Sequence, residues 1–168
     1  MLYEITIPAF IKTLGNMQKL LDKGAAHAEA KKFAPEVLLQ SRLAPDMFPM
    51  IRQIQITCDT AKLCAARLSG KEAPVHDDNE VTLADIKNRI ESVVSYLSSF
   101  KADDFKGAEE RKISQPRWEG KWMTGYDYAL HHAIPNFYFH TTTTYSILRH
   151  NGVDVGKKDY LGEMPYKH

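Results

Sequence analysis

Apolar residues recur every three or four positions in four long segments of the chain, a spacing typical of amphipathic helices. The first segment spans residues 7–28, and Pro8 is tolerated in its first turn because no intrahelical partner is needed there for the missing N–H. This helix is therefore predicted to start near Thr6. The second segment follows Asp46, which is predicted to cap it, and it ends at Gly70.

The third and fourth amphipathic segments lie in the second half of the chain. Thr82 and Asp85 resemble a capping box, in which each side chain accepts a hydrogen bond from the other residue's backbone. The fourth segment covers residues 126–150, where Pro135 predicts either a kink or the start of a fresh helix. The predicted core face of the third helix comprises Leu83, Ile86, Ile90, Val93, Val94 and Leu97.

The segments between these helices have the composition of turns and loops. Residues 70–81 are predicted to form a surface loop in which His76 is solvated. Residues 102–124 are charged and contain glycine, and a short two-stranded excursion is predicted there, formed by Arg111–Ile113 and Lys121–Met123. Both connections are therefore expected to lie outside the core.

Size and composition favour one globular domain over residues 1–168. A chain of 168 residues with 43% hydrophobic content can bury a substantial core without disulfides. Its tail, residues 153–168, is predicted to pack as an irregular strap anchored by Tyr160 and Leu161. The predicted fold class is all-α, a four-helix bundle with a short irregular or two-stranded excursion before the last helix.

Charge and cysteine usage exclude several classes of function. The formal net charge of +1 argues against a nucleic-acid-binding protein, which normally concentrates a basic excess on one face. Cys58 and Cys64 fall on nearly opposite sides of one predicted helix and cannot pair with each other there, which fits a reducing, cytoplasmic setting. The N-terminus lacks a basic leader, and no apolar run approaches the roughly 20 residues of a membrane span.

Polar residues on two helices form the candidate site. Asn136 and His140 are one helical turn apart, and His132 joins the same face if the helix continues through Pro135. Polar positions of the second helix recur beside its apolar seam and are predicted to face them. These stripes form either a buried structural hydrogen-bond network or a ligand pocket. The predicted pocket residues are Arg52, Gln55, Asp59, Asn136 and Tyr145.

A divalent metal is the cofactor to weigh at this site, because imidazole and carboxylate groups bind zinc and nickel. His140 is the first candidate ligand, followed by His132 and Asp59. Such sites usually assemble three or four donors, and a full triad is not evident from the sequence. The cofactor is therefore predicted to be either a divalent metal, zinc or nickel, or none.

Four motifs in order along the chain resemble a known family. They are RLAPDMFP at residues 42–49, PNFYFH at 135–140, LRHNG at 148–152 and GKKDYLG at 156–162. Together they are similar to the domain-of-unknown-function family DUF1993, which is placed in the DinB/YfiT-like superfamily. The resemblance implies a four-helix bundle and a homodimer.

The resemblance also implies a metal centre, since superfamily members hold a metal with one His of the second helix and two of the last helix, one turn apart. His140 matches the final ligand position. Asn136 stands one turn earlier, and the relevant stretch of the second helix, residues 53–59, contains no His. Two of the three implied ligands are therefore absent from their positions, so the site is either lost or rebuilt around His140.

Two functional hypotheses follow. The first is a non-catalytic or metal-depleted dimer that binds a small molecule or partner in a polar inter-helix pocket around His140. The second is a metal-dependent enzyme, a thiol-dependent transferase or hydrolase-like protein by analogy with the superfamily, in which His140 is the catalytic residue. Trp118, Trp122 and the tail are candidate contributors to the dimer interface.

Overall fold

Four long helical segments pack side by side in the computed structural model, which describes residues 1–167 and leaves His168, the end of the predicted tail, outside. Helix α3 packs against α4 and α6, and α1 also contacts both α4 and α6, so the helices enclose one apolar core. The fold is the predicted four-helix bundle. The four long helices are α1 (Leu2–Lys31), α3 (Met50–Ser69), α4 (Leu83–Ser98) and α6 (Ile134–His150), and a short helix, α2 (Glu36–Gln40), lies between α1 and α3.

Two helix starts differ from the sequence predictions. Helix α1 begins at Leu2 rather than near Thr6, because the buried Leu2 and Thr6 side chains extend its packing face toward the N-terminus. Helix α3 begins at Met50, and Asp46 does not cap it. The extended backbone of Pro49 precedes the helix, and a residue before proline is disfavoured from helical geometry, which prevents the helix from continuing upstream.

The fourth helical segment passes through Pro135 without a break. It consists of α5 (Gly125–Tyr128), a π-helical turn (Ala129–Ala133) and α6. In the π-turn the backbone N–H of Ile134 donates to the carbonyl of Ala129, five residues earlier. This wider turn relieves the clash that a proline ring makes with a regular helix, and Pro135 lies in the first turn of α6, directly after the π-turn.

The predicted two-stranded excursion is present before the last helical segment. Strands β1 (Lys112–Ser114) and β2 (Trp122–Thr124) pair antiparallel, with Ile113 opposite Met123. A Cβ atom on Gly125 would lie 1.8 Å from the carbonyl oxygen of Ala108, so only glycine allows this close approach. The excursion is thereby held against the start of the last helical segment.

The remaining connections are more ordered than the sequence predicted. Thr82 and Asp85 form the predicted capping box of α4. His76 is not freely solvated, because its Nδ1 lies 2.8 Å from Lys62 Nζ. In the tail, the buried anchors are Val153 and Val155, whereas Leu161 is 40% exposed at the end of α7 (Lys157–Leu161). Tyr160, the other predicted anchor, is half-buried and contacts Thr142 and Tyr145, and α7 packs against α1.

Both cysteines are unpaired and buried. Burial raises the pKa of each thiol to about 12, so neither Cys58 nor Cys64 is a thiolate at neutral pH. They act as small core residues. Across residues 1–167, no helix combines the length and the hydrophobicity that crossing a bilayer requires.

Candidate functional site

A cleft of about 580 Å³ lies between α3 and the last helical segment, and we call it the α3–α6 cleft. On α3 it follows one stripe at helical spacing, and a second stripe runs along the facing segment. The excursion covers one end of the cleft and Phe48 lines it as well. The α3 stripe comprises Arg52, Ile56, Asp59, Thr60, Leu63 and Arg67; the facing wall comprises Gln115, Pro116, Arg117, Tyr128, His132, Asn136 and His140.

The two walls run in opposite directions and give the cleft two distinct ends. Arg52 is the charge that acts on His140, whereas Arg67 and Arg117 act on His132. Arg52 and Arg67 are fifteen positions apart on α3, about 22 Å along the helix axis at 1.5 Å per residue. A hydrogen bond of 2.8 Å from Asn136 Nδ2 to Thr60 Oγ1 joins the walls between these ends.

His140 is held as a neutral imidazole at the first end. Its Nδ1 lies 2.6 Å from Gln53 Oε1, which can only accept, so Nδ1 carries the proton. Burial, assisted by the positive charge of Arg52, lowers the pKa of His140 to about 4. Within the described chain Nε2 forms no hydrogen bond, which leaves one acceptor at a wall of the cleft.

A buried arginine organises the charges around this end. Arg89 of α4 is only 3% exposed, and its guanidinium nitrogens lie 2.7 Å from Asp59, 2.6 Å from Asp78 and 2.9 Å from Glu80. Arg52 also pairs with Asp78. Three cations therefore face three carboxylates, and we call the set the balanced network: Arg52, Lys62, Arg89, Asp59, Asp78 and Glu80.

The loop carboxylates of the balanced network are ionised. Burial alone would raise the pKa of Asp78 and of Glu80, but hydrogen bonds from Arg52 and Arg89 to Asp78, and from Arg89 to Glu80, outweigh it and lower both values. Gln55 belongs to this network rather than to the cleft wall, because its Nε2 donates to Glu80 at 2.8 Å. Gln55, which was predicted to line the pocket, therefore lies outside the cleft wall and hydrogen-bonds to the balanced network.

The second end of the cleft is built on a stacked pair of rings. Tyr128 and His132 stack with centroids 5.5 Å apart and planes 18° from parallel. Arg67 donates to the Tyr128 hydroxyl at 3.1 Å, and Arg117 donates to His132 Nε2 at 2.8 Å. Burial, Arg117 and Arg67 together lower the pKa of His132. We call Arg67 and Arg117 the arginine pair.

The structure brings most of the predicted site residues to this cleft. Arg52, Asp59, Asn136, His132 and His140 all line it, so the helix keeps the two histidines on one face across Pro135. Tyr145 does not line it, because its ring packs edge-on against Tyr160 of the tail, 5.8 Å between centroids.

Sequence reasoning missed Arg89, the arginine pair and Gln53. Arg89 had a usable signal, since it falls three positions after Ile86 on the core face of α4. Arg67 also had one, because it continues the α3 stripe.

The residues at the cleft do not fit the metal that the superfamily resemblance implies. His132 and His140 are eight positions apart, about 12 Å along a helix, and Asp59 is already paired with Arg89 and Lys62. Asn136 turns its amide nitrogen, a donor, toward Thr60. In the part of the chain that the structure describes, no group of three His, Cys, Asp or Glu side chains is placed to hold one ion.

A second groove, of about 710 Å³, runs between α1 and the tail. Its walls carry exposed side chains such as Lys12 and Lys19, and none of the predicted site residues lines it. The chemistry of candidate residues is concentrated in the α3–α6 cleft.

The fold and cleft define a helical bundle with a polar inter-helix site whose charges are largely arginines. The chain belongs to the family described as "Domain of unknown function (DUF1993)", whose model matches residues 2–161. It is similar to the crystal structure of a DinB family member protein from Shewanella denitrificans. That match has 58% sequence identity and a TM-score of 0.97, and it covers 100% of this chain and 96% of that chain. No curated protein matches the sequence.

Proposed function

We propose that this protein is a non-catalytic, metal-depleted bundle that binds a small molecule in the α3–α6 cleft around His140. The observation that carries the proposal is the state of His140 itself. Gln53 fixes Nδ1–H, burial keeps the ring neutral, and Nε2 is left as a free acceptor in a cleft of about 580 Å³. A cleft of this size with a few fixed polar groups is typical of small-ligand sites.

The alternative is a metal-dependent enzyme, transferase or hydrolase-like, that uses a rebuilt site at His140. Its support is the superfamily resemblance, but the donor geometry does not favour it, since His132 Nε2 accepts from Arg117 and Asp59 is paired with two cations. A general-base role for His140 is also disfavoured, because a pKa of about 4 lies far from neutral pH.

Three further properties belong to the same proposal. Residues 1–168 act as one domain, two copies form a homodimer, and the protein works in the reducing cytoplasm, where buried free cysteines stay reduced. Trp122, 52% exposed on β2, is our candidate for the dimer surface. Light scattering should give the mass of a dimer for the wild type and a smaller apparent mass for Trp122→Ser.

Metal content and ligand binding test the proposal together. Elemental analysis of untagged, chelator-free protein should find no stoichiometric zinc or nickel, in wild type or in His140→Ala. Ligand-observed NMR with phenol and other neutral aromatic fragments should show binding that Leu63→Trp abolishes by filling the cleft. The matched control is Leu161→Trp in the tail. Stoichiometric metal that disappears in His140→Ala would instead establish the alternative.

A further inference from the structure

The positive charges of the α3–α6 cleft are distributed unequally between its two ends. All three cations of the balanced network face carboxylates within it. Among residues 1–167, neither Arg67 nor Arg117 forms an ion pair with an acidic side chain. The second end of the cleft therefore carries two positive charges that no carboxylate of the described chain balances.

The groups that hold the arginine pair orient it without cancelling its charge. A phenol hydroxyl on Tyr128 and an imidazole nitrogen on His132 each accept one guanidinium hydrogen bond. Burial raises the pKa of Tyr128 to about 12, and burial and the two arginines lower the pKa of His132, so both acceptors stay neutral. Each arginine has five N–H donors in a planar fork, and most of them remain unused.

A third donor lies at the same end. Gln115, which lines the cleft one position before Pro116, is 9% exposed, and its amide nitrogen is buried without a hydrogen-bond partner among residues 1–167. Buried donors normally have an acceptor, so this one points to a group that the protein chain itself does not supply.

We propose that the arginine pair binds the oxyanion head group of a small molecule, of the phosphate-monoester type. Two guanidinium forks match the two negative charges and the several oxygens of such a group better than a single carboxylate. The body of the ligand lies along α3 over Leu63 and Ile56, toward the free Nε2 of His140. This inference rests on the proposed function, since it names the ligand class of the same cleft.

Titration calorimetry with four probes tests the head-group preference: phenyl phosphate, benzoate, inorganic phosphate and phenol. Phenyl phosphate should bind the wild type most tightly, and Arg67→Gln or Arg117→Gln should weaken it by about tenfold or more. Arg117→Lys should recover part of the loss, because it restores the charge but not the fork. Arg149→Gln removes an equal charge from an exposed side chain of α6 and should change nothing. Thermal unfolding of each variant verifies that it is folded.

The outcomes separate this inference from the proposed function. If phenol binds as tightly as phenyl phosphate and Leu63→Trp abolishes both, the cleft binds small molecules but the arginine pair is not an oxyanion site. Equal affinity of phenyl phosphate for wild type, Arg67→Gln and Arg117→Gln would also overturn the oxyanion site. If no aromatic probe binds the wild type at all, both the oxyanion site and the proposed binding function are wrong.

Discussion

The arginines at the two ends of the α3–α6 cleft have opposite kinds of partner, carboxylates at the first end and neutral groups at the second. At the first end, Arg89 is almost fully buried and touches three carboxylates, so its charge is cancelled inside the protein. At the second end, Arg67 and Arg117 are held by a hydroxyl and an imidazole, which fix their positions and leave their charges in place. The first arrangement connects α3, α4 and the loop between them, whereas the second faces outward from the bundle.

This contrast separates charges that are compensated inside the protein from charges that remain free to attract a ligand. A buried charge is tolerated when it is paired and hydrogen-bonded, and removal of one partner leaves the others uncompensated. An exposed charge with neutral neighbours costs little to keep, and it remains able to attract a ligand of opposite sign. Substitutions in the balanced network should therefore change stability, and substitutions of the arginine pair should change ligand binding.

The largest expected effect is the loss of Arg89. Arg89→Met leaves Asp59, Asp78 and Glu80 close together without their shared cation, and unfolding should become easier by about 3–5 kcal/mol. Urea denaturation followed by circular dichroism measures this. Lys87→Met, on the same helix and paired with exposed Asp22, should cost less than about 1 kcal/mol. Equal losses of unfolding free energy in both variants would show that the buried pairs of Arg89 stabilise the protein no more than an exposed ion pair does.

The next effect is the pH dependence that His140 contributes. Its folded pKa of about 4 lies below its ordinary value of 6.5, so between these values the unfolded chain binds more protons. Stability should therefore fall as the pH is lowered from 6.5 to about 4, by up to about 1.4 kcal/mol per pH unit from this group. His140→Asn should flatten the slope measured by denaturation at several pH values. An unchanged slope in His140→Asn would contradict the assignment.

A smaller effect concerns the hydrogen bond that joins the two walls of the cleft at a point between its ends. Thr60→Val keeps the shape of a side chain that is 7% exposed but removes the acceptor for Asn136, which should cost about 1 kcal/mol. Thr142→Val loses an exposed bond to Tyr160 and should cost less. The two denaturation midpoints give the comparison, and a neutral Thr60→Val would show that this bridge does not contribute to stability.

The smallest effect is a local titration that distinguishes the ends directly. Arg117→Gln should raise the pKa of His132 and leave that of His140 unchanged, whereas Arg52→Gln should do the reverse. Solvent screening limits the Arg117 effect, since that side chain is exposed. NMR titration of the imidazole resonances reports both values in one experiment. A common shift of both histidines in either variant would mean that the two ends are not electrically separate.

Periodicity in the sequence was sufficient for the bundle and for part of the cleft. Arg52, Asp59, Asn136 and His140 share faces with apolar stripes, and helical spacing alone places them between α3 and α6. Partners from irregular segments were not predictable in this way. Asp78 and Glu80 come from a loop, and Arg117 from the excursion, where no periodic pattern indicates which side chains turn inward.

The direction of the hydrogen bond at His140 could not be predicted from the sequence either. Gln53 lies on the stretch where the superfamily would offer an imidazole, and its amide oxygen instead accepts from His140 Nδ1. The sequence shows that this stretch contains no histidine, but only the geometry shows that Gln53 accepts a hydrogen bond from His140. The metal question therefore depended on distances that no pattern of residues encodes.

The π-turn at Ala129–Ala133 fixes the rotational phase between the two ends of the cleft. It adds one residue to a turn, and one residue corresponds to about 100° of rotation in a helix. Deletion of that residue would restore regular α-helical winding and swing Tyr128 and His132 away from the wall that carries His140. A single-codon deletion in this turn is thus expected to remove the second end of the cleft while every residue around His140 stays the same.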